Sequence, residues 1–326
     1  MTQTPDSRDL FRSDRETVLV ALGGNALLRV GDSGDWAGQA ERARETCAQL
    51  MPLVERDANL VVTHGNGPQV GHGLIRHERA AERVPALPLD YVVAETEGLI
   101  GYMLQQALLN ALMEREIYRY VVTMITQVEV APDDPAFLEP GKPIGSAMDE
   151  TAAREMEARH DWTTVEETPG QWRRTVPSPR PIKVIQRHMI RHAAREGNIV
   201  MAGGGGGIPI VRKPGDVFRG IEAVIDKDLT SSLLAEEIEA DLLVILMPYP
   251  QIVRHFGQPG EEPIGEISAA ALREIQATGE FAPGSVGPKV DGCLRFVEAR
   301  QRPAIVTNTE CLQAALDGEA GTRIRP

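Results

Sequence analysis

The sequence predicts an α/β fold: a mainly parallel open sheet sandwiched by helices, with a small inserted lid lobe. Three observations point there. Short β-branched runs recur along the chain, and most are followed by turn residues and a helical pattern, the alternation that builds parallel βαβ units. Residues 128–182 break that alternation, being rich in Pro, Asp, Glu and Trp, with "APDDPAFLEPGKPIG" near one end and "PSPRPIKV" near the other. The chain's 326 residues, 42% hydrophobic with 31 Gly and 23 Pro, are enough to bury a sizeable core without covalent staples.

The first strand is "TVLVAL", closed by Gly23-Gly24-Asn25, and a helix is predicted over 36–55. "NLVVT" forms the second strand and ends in His64-Gly65-Asn66-Gly67-Pro68-Gln69, which opens a helix over 68–83. A strongly apolar helix over 95–114 leads to "YVVTM". After the insertion come a helix over 185–196 and the strand "NIVMA", which runs into Gly203 to Gly207. A helix over 228–239, which Asp228 is well placed to start, precedes "DLLVILM", and "AIVT" is the last strand.

Ligands of open α/β sheets lie beyond the carboxyl ends of the strands. Three such ends here combine small residues with backbone or side-chain amides at a helix entrance, the arrangement that holds an anion. Five consecutive glycines cost entropy and are explained either by a linker or by a backbone that must take unusual dihedrals or let something approach closely. Linkers mix glycine with polar residues, whereas this run is flanked by Ile199-Val200-Met201 and by Ile208-Pro209-Ile210. The run does not fit the dinucleotide fingerprint, because the required glycine at i+5 falls on Ile208, Pro209 or Ile210. Gly141-Lys142 is no P-loop either, with Ala136 at the glycine position and Pro143 after the lysine.

A net charge of −13 argues against a nucleic-acid partner and leaves a local basic pocket for a small anion. The amino terminus has no apolar signal segment, and the longest aliphatic run, "LLVILM", is too short to span a membrane, so the sequence predicts a cytoplasmic protein without a membrane partner. Cys47, Cys293 and Cys311 are scattered without metal-ligand spacing and read as reduced. His188 and His192 stand four apart on one helix, with no third ligand in reach, and read as a solvated face.

The strings "ALGGNALL", "VVTHGNGPQVG", "LDYVVAETEGLIGYMLQQAL", "DDPAF" with "KPIG", "AGGGGGIPIV", "GIEAVIDKDLTSSLLA", "FAPGSVGPK" and "GEAGTRI", in this order, resemble the carbamate kinases, a branch of the amino-acid kinase family. The resemblance covers nearly the whole chain. It implies reversible phosphoryl transfer between ATP and carbamate, giving carbamoyl phosphate and ADP, with Mg²⁺, in a homodimer whose interface takes part of the apolar helix 95–114. It implies a polar extension over 1–17 and one domain over 18–326, with an acceptor-side half over about 18–197 and a nucleotide-side half over about 198–326. The inserted lid covers about 128–182. Lys142, Lys227 and Lys289 are implied as catalytic cations, with Asp228 orienting the lysines and Asp226 assisting it or reaching the magnesium shell. Gly23, Gly24, Asn25, Gly65, Asn66 and Gly67 match the acceptor side. Gly204, Gly205, Gly206, Met247 and Tyr249, with Lys227 and Lys289, match the nucleotide side.

Two departures qualify the match. Met247-Pro248-Tyr249-Pro250 stands where relatives carry a threonine and often an acidic residue, which predicts weaker discrimination of the base. Ser146-Ala147-Met148 follows "KPIG" in place of a proline-aromatic sequence, which predicts a shifted acceptor. The competing readings are a kinase for another small carboxylate-like acid and a nucleotide- or phosphate-sensing protein without turnover. Retention of Lys227, Asp228 and Lys289 together favours the kinase, since a binder needs no complete set of charges around a γ-phosphate.

Overall fold

The computed structural model describes residues 15–23, 27–28, 34–160, 162–281 and 286–326. The first half of the chain runs β1 (Thr17–Leu22), α1 (Trp36–Gln49), α2 (Met51–Glu55), β2 (Asn59–His64), α3 (Gly67–Ala80), α4 (Leu89–Met113), β3 (Val121–Thr123) and β4 (Gln127–Val130). A lobe follows with β5 (Lys142–Met148), α5 (Glu150–His160), β6 (Thr163–Thr168) and β7 (Gln171–Val176). The chain returns through β8 (Pro181–Val184), α6 (Arg187–Arg195), β9 (Ile199–Met201), β10 (Ile208–Lys213), β11 (Val217–Gly220), α7 (Lys227–Glu237) and β12 (Leu242–Leu246). It closes with β13 (Ile252–Arg254), β14 (Glu262–Ile264), β15 (Glu266–Ser268), α8 (Ala269–Ala277), α9 (Gly287–Arg300), β16 (Ala304–Thr307), α10 (Leu312–Asp317) and β17 (Thr322–Arg325).

The main sheet has eight strands in the order β15-β17-β16-β12-β1-β2-β9-β3, parallel except where β17 runs against β16. All six strand runs read from the sequence lie in it. In β1 the two-residue period sends Leu19 and Ala21 into a core shared with α6, α7 and α9, and Val18, Val20 and Leu22 into a second core under α1, α4 and α10. A strand buried on both faces reads as a continuous apolar run rather than an alternation.

The helices differ from expectation at particular residues. The helix expected over 36–55 is two helices, because Pro52 in the first turn of α2 has no N–H to continue α1. The apolar helix begins at Leu89, ahead of 95, behind an extended Pro88. Asp226, and not Asp228, caps α7: its backbone is extended and its side chain accepts from the N–H groups of Asp228 and Leu229.

The insertion contributes to two sheets. β4 and β8 join β10 and β11 in a four-stranded sheet, so the segment directly after the five glycines pairs with the strand that leads into the lobe. The lobe itself is the antiparallel sheet β5-β7-β6 with α5. It meets α3 where a Cβ placed on Gly71 would lie 1.9 Å from Gly145 Cα, two backbones in direct contact. His72 and Ser146 hydrogen-bond beside this contact at 2.9 Å, and Trp162 Nε1 donates to Glu78 of α3 at 3.1 Å. Gly71→Ala must therefore push the lobe off α3. Urea unfolding should show a destabilisation of about 1–3 kcal/mol, as expected for an overpacked site. An unchanged midpoint would mean that the lobe yields freely at this contact.

Candidate active site

Beyond the carboxyl ends of β1, β2 and β9 the loops come very close. A Cβ on Gly23 would lie 2.8 Å from the carbonyl oxygen of Leu246, at the end of the neighbouring β12. The run after β9 turns sharply, with positive φ at Gly203 (62°), Gly205 (67°), Gly206 (91°) and Gly207 (83°). Its bareness is also steric: Cβ atoms at Gly204, Gly205 and Gly206 would meet His64 Nε2 at 2.4 Å, Asn66 Nδ2 at 2.0 Å and the carbonyl of Ile225 at 2.3 Å. The glycines let the β9 loop pack onto the β2 loop and onto the segment that enters α7.

The charged groups come from three elements. The cap of α7 fixes Asp226, Lys227 and Asp228 in the first turn. α9 packs against α7 at Gly292, where a Cβ would lie 3.0 Å from the carbonyl of Asp228, and Lys289 stands one turn earlier on the same helix. β5 carries Lys142 in from the lobe. Lys227 Nζ lies 2.5 Å from Asp228 Oδ1, Lys289 Nζ lies 3.1 Å from Asp228 Oδ2, and Lys142 Nζ lies 2.9 Å from Asp226 Oδ2. These side chains line a cavity of about 220 Å³ with Gly65, Asn66, Gly67 and Gly205. Among the described residues that line it, three ammonium groups face two carboxylates.

Burial alone would raise the Asp228 carboxyl, yet Lys227 and Lys289 override it and hold the group far below the usual carboxylate range. Burial lowers the Lys227 ammonium, which Asp228 partly offsets. Asp228 thus opposes the loss of charge that burial favours at Lys227, and it accepts from both ammonium groups at once. A larger cavity of about 500 Å³ lies beside Arg180, Arg273 and Arg295. Those guanidiniums are paired with Asp291, Glu298 and Glu236, so it offers no comparable excess of positive charge.

The cavity therefore brings together Lys142, Lys227, Lys289, Asp226, Asp228, Gly65, Asn66, Gly67 and Gly205 from the sequence reading. Gly204 and Gly206 sit behind it: the Gly204 N–H donates to Glu97 and the Gly206 N–H to the carbonyl of Gly203, which leaves neither amide for a nucleotide. Met247 is buried with its N–H on Thr307, while Tyr249 is half-exposed with its ring edge-on to Phe256 at 4.9 Å. Neither lines this cavity. Gly23 lies against β12, and Gly24 and Asn25 fall outside the described residues. His64 is buried under Gly204, and burial pushes its imidazole down to about 4, so it stays neutral at pH 7. The sequence reading overlooked Glu97, Thr96 and Thr126, buried polar residues behind the loops. The available signal was the polar run Glu95-Thr96-Glu97 within a largely apolar helix.

The amino acid kinase family model matches residues 16–308. The carbamate kinase of Thermococcus kodakarensis is 40% identical over 311 residues, 94% of this chain and 98% of that protein. The carbamate kinase of Halobacterium salinarum is 42% identical over 95% of this chain and 98% of that protein. The carbamate kinase-like protein YahI of Escherichia coli is 41% identical over 95% and 99%. Among solved structures, carbamate kinase from Giardia lamblia bound to citric acid superposes with a TM-score of 0.91 at 35% identity, covering 96% of this chain and 99% of that one. The same protein bound to AMP-PNP superposes at 0.89, also at 35% identity. The lysine–aspartate cavity thus sits in a chain that belongs, over nearly its full length, to the amino acid kinase family and within it to the carbamate kinases.

Proposed function

We propose that this protein is a carbamate kinase, an ATP-dependent phosphotransferase that interconverts ATP and carbamate with ADP and carbamoyl phosphate. The observation that carries this reading is the shared aspartate: two ammonium groups on one buried carboxylate, with a third ammonium brought in from the lobe. In the ATP-forming direction an ADP β-phosphate oxygen attacks phosphorus, the bond from phosphorus to the carbamate oxygen breaks, and carbamate leaves as an anion. Both oxygens are anionic already, so no strong base is needed. The site must hold two negative partners in line and neutralise the spreading charge.

Lys227 and Lys289, held by Asp228, suit the transferring phosphoryl group, while Lys142 on the lobe suits the acceptor end. Gly65, Asn66, Gly67 and Gly205 offer the uncharged wall. Among the described residues no three His, Cys, Asp or Glu side chains gather as a metal cage, and both oxygens of Asp226 already serve the α7 cap and Lys142. Magnesium, if bound with the nucleotide, would supply neutralisation of phosphate charge, with Asp226 the carboxylate nearest the lobe lysine to face it. No helix among the described residues is long and apolar enough to cross a membrane, and we place the enzyme in the cytoplasm. Part of α4 is our choice for a homodimer surface, because Tyr91, Tyr102 and Met113 are all more than half exposed. Sedimentation of a monomer at micromolar concentration would remove that assignment.

A coupled assay should show ATP formed from ADP and carbamoyl phosphate when magnesium is present and none when it is omitted. Replacing ADP by GDP should cost less than about a hundredfold, given the apolar "MPYP" segment. ADP binding without turnover would favour the sensing protein, and turnover of a different acyl phosphate would change the acceptor.

The lysines should separate by role. Lys227→Ala and Lys289→Ala should each lower kcat by roughly a hundredfold to a thousandfold, as removal of a preorganised charge stabiliser does. Lys142→Ala should lower kcat and raise KM for carbamoyl phosphate while leaving KM for ADP nearly unchanged. Parent-like kinetics for Lys142→Ala would remove the lobe from the reaction.

A further inference from the structure

Two adjacent residues of α4 reach the two loops that wall the cavity. Thr96 and Glu97 are almost wholly buried, at 3% and 1% exposure, in the interior of a largely apolar helix. Thr96 Oγ1 accepts a hydrogen bond from Asn66 Nδ2 at 3.0 Å and passes its own proton to the carbonyl of Val93 at 2.8 Å. Glu97 Oε1 accepts from the Gly204 N–H at 3.0 Å, and Oε2 accepts from the Thr126 N–H at 3.1 Å. The hydroxyl of Thr126 in turn receives the Gly203 N–H at 2.9 Å. The loop after β2 and the loop after β9 thus hang from successive side chains of one helix.

The same loops interlock where they reach the cavity. A Cβ on Gly205 would lie 2.0 Å from Asn66 Nδ2, and both residues line the wall. Neither can shift without the other. A carboxylate is an expensive way to fill a core: burial pushes the Glu97 carboxyl up to about 8, although the amide donors pull it the other way. An apolar side chain would pack as well but would leave the Gly204 and Thr126 N–H groups buried without partners.

We propose that Thr96 and Glu97 are positioning residues for phosphoryl transfer, holding Asn66 and Gly205 at the cavity wall through direct hydrogen bonds to the Asn66 amide and the Gly204 backbone. The proposal rests on the carbamate kinase reading for its kinetic consequence, whereas the tether itself is read without turnover.

Glu97→Gln keeps the side-chain volume but offers one acceptor oxygen where two are needed, and Thr96→Val keeps the shape and removes the hydroxyl. Amide hydrogen exchange of peptides spanning 202–208 should be at least about tenfold faster in Glu97→Gln than in the parent, with peptides of β1 and β12 unchanged. With ADP, carbamoyl phosphate and magnesium, each variant should lose about tenfold to hundredfold in kcat, the scale of a small misplacement, with both KM values within about threefold of the parent. Thr96→Ser, which restores the hydroxyl, should recover most of the kcat lost in Thr96→Val. Unchanged exchange in Glu97→Gln overturns the tether, and parent-like kcat in both variants overturns the positioning role. Failure of both to fold also overturns it, since their contribution would then be to stability. A parent without turnover counts against the kinase reading, and the exchange result still decides whether Glu97 holds the loop.

Discussion

Asp228 is one carboxylate buried between two ammonium groups, and the site depends on it. Burial draws the Lys227 ammonium down and would raise the Asp228 carboxyl, and the attraction between them works against both effects. Lys227 and Lys289 each donate to one oxygen of the carboxylate, so both oxygens of the buried charge are paired. The arrangement is set by helix geometry: the Asp226 cap fixes the first turn of α7, and Gly292 lets α9 approach until Lys289 reaches the same carboxylate. Both lysines point into the cavity from elements anchored in the main sheet, so charge that grows in a transition state meets cations already in place.

The glycine run serves this arrangement by a route other than direct contact along its length. Four of its five residues have positive φ, and the Cβ atoms missing from Gly204, Gly205 and Gly206 make room for His64, Asn66 and the backbone of Ile225. Only Gly205 faces the cavity. The loop is better described as the joint that locks the β2 loop, the entrance of α7 and the two residues of α4 into one rigid wall. The lobe packs beside that wall, with Ile144 and Val176 buried against Val70, Val92 and Val224. It reaches the cavity by the Lys142–Asp226 pair and is held to α3 by the contact of Gly71 with Gly145, so Lys142 is the charged group best placed to move.

The strands of the main sheet were legible because strands buried on both faces leave continuous apolar runs, and "TVLVAL" and "DLLVILM" are such runs. The charged constellation was legible through motif resemblance, with "VIDKD" and "GPK" supplying Lys227, Asp228 and Lys289. What periodicity could not supply was the partner of each group. Asp226 and Asp228 both suit a helix cap by composition, and only the dihedrals and the acceptor contacts assign the cap to Asp226. That the Gly204 and Gly206 amides already have partners was not legible, because a run of identical residues gives no indication of which N–H groups are used. Thr96 and Glu97 were passed over because their partners, Asn66 and Gly204, lie 30 and 107 residues away in the chain. The short strands β13 to β15 and β17 carry too few residues to show a period.

The most direct measurement of the central claim is the kinetics of Asp228→Asn, which keeps the size of the side chain and removes the charge shared by Lys227 and Lys289. The account predicts a kcat lower by roughly a hundredfold to a thousandfold, with KM for ADP and carbamoyl phosphate changed little and the circular dichroism of the parent retained. A folded Asp228→Asn enzyme with the parent's kcat would contradict it, because the two lysines would then not need the buried carboxylate to act.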